Sequence, residues 1–306
     1  MPLGLLTGLG AALAWGTLDV FSAVASRRIG SLKVTTGIQV IGAAFVILVA
    51  ILSGTAVPDD PRVLVGGAIV GLAGAGAYLA YFTGLRIGPI AVVSGMVAAY
   101  GGLTVVLAVV IRGETLTTIQ AVGAASATIG VILTGVHFDG GWRGTKFASP
   151  GVIFAVVALV LFATMAIGSD IVIDYAGWLE VLLVARTTNA VLSVAILVAA
   201  VTVARRIAQP VLIGADGTDG SQDDVRRVDA RVIGLVGLAG LLDVLGLVVF
   251  MYGLEQAETW LVGLASSFGP AVTIIAAVAF MGERLRGIQW VGLALVLTGM
   301  IAIGLP

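Results

Sequence analysis

The sequence predicts an all-α polytopic membrane protein with about ten transmembrane helices, arranged as two inverted five-helix repeats. Three observations predict this fold class: the composition, a series of long stretches without charge, and an internal repeat. Of the 306 residues, 59% are hydrophobic and only 11% are charged, and the mean hydropathy is +1.14. This composition suits a lipid environment, and about ten spans of about 20 residues each leave no room for a large soluble domain.

Ten stretches of the chain are long and apolar enough to cross a bilayer as helices. Seven of them contain no Asp, Glu, Lys or Arg, and three contain one charge each, at Asp19, Arg186 and Asp243. The ten stretches are residues 3–26, 34–57, 63–85, 87–111, 115–136, 147–169, 181–204, 232–254, 259–282 and 287–306. The one long polar connector, 205–231, is too rich in Asp and Gly to bury a core, and we expect it to form a flexible loop.

The chain also repeats itself internally. When it is aligned with itself at an offset of 169 residues, Gly113-Glu114 falls on Gly282-Glu283, and Ile119-Gln120 falls on Ile288-Gln289, without a gap. An apolar composition by itself produces chance matches of Leu, Val and Gly. It does not account for shared Gly-Glu and Ile-Gln pairs at one offset, so the repeat is a property of the fold.

The two repeats are predicted to be residues 1–140 and 141–306, with five helices each. At an offset of 147 residues their first parts align more faintly, with Gln39 opposite Arg186. Because five is an odd number, the second repeat starts from the opposite face of the membrane. This inverted architecture is typical of secondary transporters, in which a site between the halves opens to each face in turn.

A family resemblance rests on Trp15-Gly16-Thr17 and on the paired motifs Gly113-Glu114-x-Leu-x-x-Ile-Gln and Gly282-Glu283-x-Leu-x-x-Ile-Gln. These residues resemble the EamA-type family of the drug/metabolite transporter superfamily, over nearly the whole chain. The resemblance implies a ten-helix carrier with a central cavity, which moves a small organic metabolite, such as an amino acid-like compound, by alternating access. Gln39 departs from the family, because an Arg is frequent there, and only the matching Arg186 keeps it.

Other classes of function find little support. The net charge of −1 provides no basic surface for nucleic acid, zero Cys excludes thiolate chemistry, and the single His137 lies beside Asp139 without further metal ligands. We therefore expect no enzyme, no cofactor and no nucleic-acid partner. The expected partners are the lipid bilayer, most simply a prokaryotic plasma membrane, a small-molecule substrate and, for coupled transport, protons. The alternative is a membrane protein that is not a carrier, such as a channel-like pore or a membrane-embedded enzyme.

The charges inside the spans are the candidates for substrate binding or coupling. A charge in hydrocarbon is costly, so Asp243 must be paired, hydrated or protonated. It is predicted either to couple transport to protons or a cation, or to be a structural partner of Arg186. Arg186 could bind a substrate carboxylate or lock its helix to an acid, and Asn189 follows it at i+3 on the same face.

Asp19 is the third charge, one turn after Trp15 in the first predicted helix. One interpretation places it in the wall of a substrate cavity. The other pairs it with Arg27 or Arg28 near the membrane boundary, where a carboxylate needs no ligand to explain it.

The aromatic residues divide into two groups. Trp15 and Tyr100 lie deep in their spans and are candidates for stacking on a substrate. Tyr78, Tyr81 and Tyr252 lie near the ends of theirs, where amphipathic rings commonly anchor at the membrane interface.

Glu114 and Glu283 are motif residues with a predicted structural role. Each follows a Gly in a short turn that opens the next helix. A carboxylate at such a position satisfies free backbone N–H groups and interacts favourably with the helix dipole.

Small residues recur along two of the spans. They form the patterns Gly67-x-x-x-Gly71 and Gly234-x-x-Gly237-x-x-Gly240. Such patterns predict close helix packing.

Overall fold

A computed structural model describes residues 2–88, 90–135, 150–212, 230–269, 271–272 and 287–304. These residues form helices joined by short turns, as predicted for an all-α protein. The helices are α1 (Pro2–Ile29), α2 (Ser31–Ser53), α3 (Pro61–Ile87), α4 (Ile90–Ala98), α5 (Tyr100–Leu107), α6 (Thr118–Gly135), α7 (Pro150–Ile173), α8 (Trp178–Leu212), α9 (Ala230–Gln256), α10 (Thr259–Ser266) and α11 (Gly287–Gly304). A π-helical turn, Ala108–Arg112, continues α5.

Seven helical segments of the described chain are long and apolar enough to cross a membrane. They belong to α1, α2, α3, α7, α8 and α9, and to the segment Val93–Arg112, which is interrupted between α4 and α5. The chain is therefore a multi-pass membrane protein, and the total of about ten spans stays a prediction.

The connector predicted over 205–231 is bounded by helices that extend into it. α8 continues to Leu212, and α9 begins at Ala230. Outside the described residues lie 213–229, Glu283, His137 and Asp139.

The two halves run through the bundle in opposite directions. The beginning of α1 lies against the beginning of α10, where a Cβ added at Gly4 would be 3.1 Å from Leu261. Glu114 binds the same end of α10, and Arg112 pairs with Asp174 just beyond the end of α7. α1 thus starts at the face where α7, its counterpart at the offset of 147 residues, ends. We call this the Arg112 face.

Each half packs mainly on the other. α1 packs on α9 while its counterpart α7 packs on α3, and α2 packs on α9 while its counterpart α8 packs on α3. A pseudo-two-fold axis in the membrane plane produces this reciprocal arrangement. α3 and α9, which the offset of 169 residues relates, therefore hold equivalent places in the bundle.

Close packing of α3 on α8 depends on glycine, as the small-residue pattern predicts. A Cβ added at Gly71 would overlap the carbonyl oxygen of Ala185. On α9 the pattern is only partly used: a Cβ at Gly240 would lie 2.9 Å from Ile41, but among the described residues nothing lies within 4 Å of one at Gly234 or Gly237. Within the described part of the chain, Gly234 and Gly237 therefore make no close approach to another helix.

Gly71 and Gly237 offer a matched comparison. Gly71→Ala should destabilise the protein by about 1–3 kcal/mol, because the new methyl group overpacks the contact between α3 and α8. Gly237→Ala should be neutral or stabilise it by up to about 1 kcal/mol, since it gains helix propensity without a clash. Thermal unfolding of the purified variants checks both, and equal effects at the two sites would contradict the packing described here.

Candidate functional site

A cavity lies between the two halves of the bundle. It offers about 60 Å³ to the centre of a water-sized sphere, which is several times the space that one water needs. α1, α3, α4 and α5 line it from the first half, and α7, α9 and α10 line it from the second. Six aromatic residues line it: Trp15, Tyr78, Tyr81, Tyr100, Phe162 and Phe250.

Four of these rings are related by the internal repeat. Trp15 and Phe162 are separated by the offset of 147 residues, and Tyr81 and Phe250 by the offset of 169. Trp15 packs on Phe250 with ring centroids 5.5 Å apart, and Phe162 packs on Tyr81 at 6.1 Å. The cavity is thus built on two equivalent aromatic pairs, each of which joins one half to the other.

Tyr78 and Tyr81 do not anchor at the membrane interface, so that prediction is wrong. Their side chains are only 4% and 7% exposed, and their hydroxyl groups donate hydrogen bonds to Asp243 and Asp19. α3 continues for roughly two turns beyond them, which places both rings inside the bundle. Tyr252, by contrast, is 40% exposed.

Asp19 lies in the wall of the cavity rather than at the membrane boundary. Its Oδ2 accepts hydrogen bonds from the hydroxyls of Tyr81, at 2.6 Å, and Ser94, at 3.3 Å. Arg27 and Arg28 are exposed and lie about two turns further along α1.

Asp243 and Arg186 form a buried ion pair that joins α9 to α8. The two side chains are 0% and 2% exposed, and Arg186 Nη2 donates to Asp243 Oδ2. The Tyr78 hydroxyl on α3 donates to Oδ1 at 2.6 Å, and the Trp15 indole N–H donates to the Asp243 backbone carbonyl at 3.3 Å. Because one carboxylate holds three helices together, the geometry supports the structural interpretation of Asp243.

A smaller cavity, of about 20 Å³ for the centre of a water-sized sphere, lies against Tyr78, Arg186 and Asn189. It is large enough for one water. Asn189 Oδ1 accepts a hydrogen bond from Ser193, one turn further along α8, at 3.3 Å. Among the described residues, Arg186 Nε and Nη1 and both polar side-chain atoms of Gln39 have no hydrogen-bond partner. This polar pocket therefore belongs to the Arg186 ion pair rather than to the aromatic cavity.

Helices of both halves are interrupted beside the aromatic cavity. Ala99, with ψ −7°, separates α4 from α5, and Ser267, with ψ −3°, ends α10 at nearly the equivalent position of the repeat. The Tyr100 hydroxyl and Ser266 Oγ lie 2.6 Å apart across the two breaks, and a Cβ added at Gly101 would overlap the Ser267 hydroxyl. Discontinuous helices at a site between inverted repeats are typical of transporters.

Glu114 caps a helix, but not the helix that the sequence predicts. Its two carboxylate oxygens accept hydrogen bonds from the backbone N–H groups of Thr259 and Trp260, both at 3.0 Å, at the beginning of α10 in the other half. α6, which follows Glu114, begins instead with a reciprocal box: Thr117 N–H donates to Gln120 Oε1 at 2.9 Å. The carboxylate is therefore left to connect the halves.

A second connection at the Arg112 face was not identified from the sequence. Arg112 Nε lies 2.6 Å from Asp170, and Arg112 Nη1 lies 2.8 Å from Asp174. The sequence contains one signal for this connection. Asp170 and Asp174 are spaced i, i+4 at the end of α7, and the inverted repeat places that end at the same membrane face as Arg112. No group of three or more acidic or His side chains in the described part of the chain is placed to hold a metal ion.

Inverted halves around an aromatic cavity define the class of membrane proteins to which secondary transporters belong. The chain matches the model of the EamA-like transporter family over residues 2–136 and 149–305. It belongs to this family, which confirms the resemblance of the paired motifs to the drug/metabolite transporter superfamily. A solved crystal structure, described only as that of a protein, shares the fold with a TM-score of 0.72 and 21% identity, covering 98% of this chain and 96% of that one. No curated protein matches the chain.

The buried ion pair predicts a specific pattern of stability. Asp243→Asn leaves the Arg186 charge buried without its counter-ion and should cost about 3–5 kcal/mol. The double variant that adds Arg186→Met should recover most of this loss, because no buried charge remains. Thermal unfolding of the purified proteins checks this.

The control for this pair is Asp60→Asn, which weakens the exposed ion pair with Arg62 and should change stability little. If instead Asp243→Asn is as stable as the native protein but has lost transport driven by a pH gradient, Asp243 is a coupling residue and not a structural partner of Arg186.

Proposed function

We propose that the protein is a secondary transporter that moves a small organic metabolite across the membrane by alternating access. The aromatic cavity between two halves of opposite direction carries this proposal. A site near a pseudo-two-fold axis opens to one face by a rocking movement of the halves and to the other face by the equivalent movement. A receptor or a scaffold has no comparable need for this symmetry.

Contacts between the halves close the Arg112 face. The ion pairs of Arg112 with Asp170 and Asp174 and the capping of α10 by Glu114 all join the first half to the second. Opening the cavity towards this face requires these contacts to break. Asp19, on the cavity wall, lies past the midpoint of α1, nearer the end at Ile29 than the beginning at the Arg112 face.

We assign proton coupling to Asp19 rather than to Asp243. Protonation of Asp243 would leave the Arg186 charge buried without a counter-ion, which is strongly unfavourable. The partners of Asp19 include the hydroxyl groups of Tyr81 and Ser94, and a hydroxyl can donate or accept a hydrogen bond. These partners therefore tolerate both the ionised and the protonated carboxyl.

Transport in liposomes tests the proposed function. Purified protein is first screened by thermal shift against amino acids, sugars, nucleosides and amines, and compounds that stabilise it are then used in flux assays. Saturable uptake with counterflow of unlabelled for labelled compound supports a carrier. Ohmic current through a planar bilayer, or chemical conversion of the compound, would show a pore or an enzyme instead.

The closed face generates a further prediction, which the absence of Cys makes convenient to test. Val97→Cys places one thiol in the cavity wall. In this background, Arg112→Gln combined with Glu114→Gln should increase labelling by a membrane-impermeant maleimide from the Arg112 face by roughly tenfold. The reason is that a loss of about 1.4 kcal/mol of closing energy shifts the population tenfold.

The matched control is Lys33→Gln, which removes an exposed cation at the beginning of α2, away from the Arg112 face. It should leave the labelling rate unchanged. Equal rates in the native, double-variant and control backgrounds would show that these contacts do not close the transporter.

A further inference from the structure

We propose that the membrane face opposite the Arg112 face binds the anionic headgroups of phospholipids and lies in the cytoplasm. We call it the Arg86 face, and it contains the ends of α1 and α3 and the beginnings of α2 and α9. This surface is separate from the substrate cavity and independent of what the cavity binds. Three features carry the proposal: exposed arginines, an excess of acids at the Arg112 face, and the distribution of Lys and Arg along the chain.

Contacts between helix ends define the Arg86 face. Ser31 Oγ, at the beginning of α2, lies 3.1 Å from Thr83 Oγ1 near the end of α3. A Cβ added at Gly30, between α1 and α2, would lie 4.0 Å from Arg86 Nη1. α9 begins at the same face because it ends at the other one, where Glu255 accepts a hydrogen bond from the first turn of α8. All four helix ends therefore lie at one face of the membrane.

Four exposed arginines lie at these helix ends. They are Arg27 and Arg28 in the last turn of α1, Arg86 in the last turn of α3 and Arg231 at the beginning of α9. No described residue of this face is an exposed Asp or Glu. A guanidinium group can bind a phosphate with two parallel hydrogen bonds, and each Lys or Arg near an anionic bilayer strengthens the attraction about fivefold. The Arg86 face therefore matches a phospholipid headgroup in both charge and donor geometry.

The Arg112 face has the opposite charge. Its two cations among the described residues, Arg62 and Arg112, are both paired with Asp side chains of the same face. Arg62 lies 4.4 Å from the ring centroid of Tyr175, which follows Asp174, so the turn between α2 and α3 belongs to this face. An anionic membrane surface would repel the eight described acids there, which are Asp59, Asp60, Glu114, Asp170, Asp174, Glu180, Glu255 and Glu258.

The distribution of Lys and Arg along the chain agrees with this polarity. α6 and α11 run in opposite directions, since Ser126 Oγ donates to the Leu295 carbonyl and a Cβ at Gly299 would overlap the Gly123 carbonyl oxygen. α6 thus ends, and α7 and α11 begin, at the Arg86 face. In the sequence, the connectors and helix ends of this face hold thirteen of the 16 Lys and Arg residues, and those of the Arg112 face hold two. Membrane proteins place the face richer in Lys and Arg in the cytoplasm.

This orientation identifies the state of the transporter. The ion pairs of Arg112 and the capping of α10 by Glu114 close the face that lies outside the cell. The described state is therefore closed to the outside, and these contacts form its external gate.

Cysteine labelling tests the orientation, because the chain contains no Cys. Ala56→Cys and Ala230→Cys are matched substitutions of exposed alanines, the first in the turn between α2 and α3 and the second at the beginning of α9. In intact bacterial cells, a membrane-impermeant maleimide should label Ala56→Cys, and it should label Ala230→Cys only after permeabilisation. The reverse pattern, or equal labelling of the two variants in intact cells, would overturn the proposal.

Lipid binding is measured with the full chain in phosphatidylcholine nanodiscs that contain spin-labelled phosphatidylglycerol or spin-labelled phosphatidylcholine. Electron paramagnetic resonance gives the ratio of the two association constants. We expect a preference for phosphatidylglycerol of about tenfold or more, which is lost in about 1 M salt, where the Debye length is about 3 Å. Equal association of the two lipids at low salt would contradict the proposal. So would displacement of phosphatidylglycerol by inorganic phosphate at constant ionic strength, which would indicate a site for the free anion.

Two substitutions on one helix assign the binding to the Arg86 face. Arg86→Gln, at the end of α3, should lower the preference for phosphatidylglycerol by about fivefold, and Arg62→Gln, at the beginning of α3, should leave it unchanged. Combining Arg86→Gln with Arg27→Gln and Arg28→Gln should remove most of the preference. The ratio of two lipids is measured on each variant, so a general loss of stability does not imitate this result. Equal effects of Arg86→Gln and Arg62→Gln would reject the assignment.

Discussion

The architecture depends on one constraint: in the hydrocarbon interior of a membrane, each charge must find its partner within the protein. The ion pair of Asp243 with Arg186 meets this constraint with the Tyr78 hydroxyl as a third member. The pair sets the mutual positions of α3, α8 and α9, and Trp15 adds α1 through the backbone carbonyl of Asp243. The cavity wall is therefore built on helices that a buried charge pair holds in register, and the ring of Tyr78 connects this pair to the cavity.

The inverted repeat provides symmetry of shape, but the chemistry is asymmetric. The aromatic pairs of Trp15 with Phe250 and of Phe162 with Tyr81 are equivalent under the repeat, so both halves present similar surfaces to the cavity. Polar groups break this equivalence, because Asp19 has an alanine as its counterpart. Alternating access needs only the symmetry of shape, since each half repeats the movement of the other.

The Gly-Glu motif serves the contact between the halves. Gly113 adopts φ 69°, a left-handed conformation that ends the preceding helix and turns the chain towards α10. Since Thr117 and Gln120 cap α6, the Glu114 carboxylate serves the first turn of α10 instead. A motif of this kind identifies the family because it joins the two halves, and it does not depend on what the cavity binds. This explains why the paired motifs predicted the family and were silent about the substrate.

The sequence by itself determined the membrane class, the inverted repeat, the family and the positions of Arg186 and Asp243 within spans, because hydropathy, offset and the cost of a buried charge are local or periodic properties. For Asp19 it left both the cavity wall and the membrane boundary open. Only the tertiary structure decided which carboxylates and hydroxyl groups contact each other. Asp19 and Tyr81 are 62 residues apart and Tyr78 and Asp243 are 165 apart. The tyrosines therefore resembled interface anchors, and Glu114 resembled a cap for its own helix. Pairing across the halves follows from how α1, α3 and α9 pack, and no single stretch of sequence records that packing.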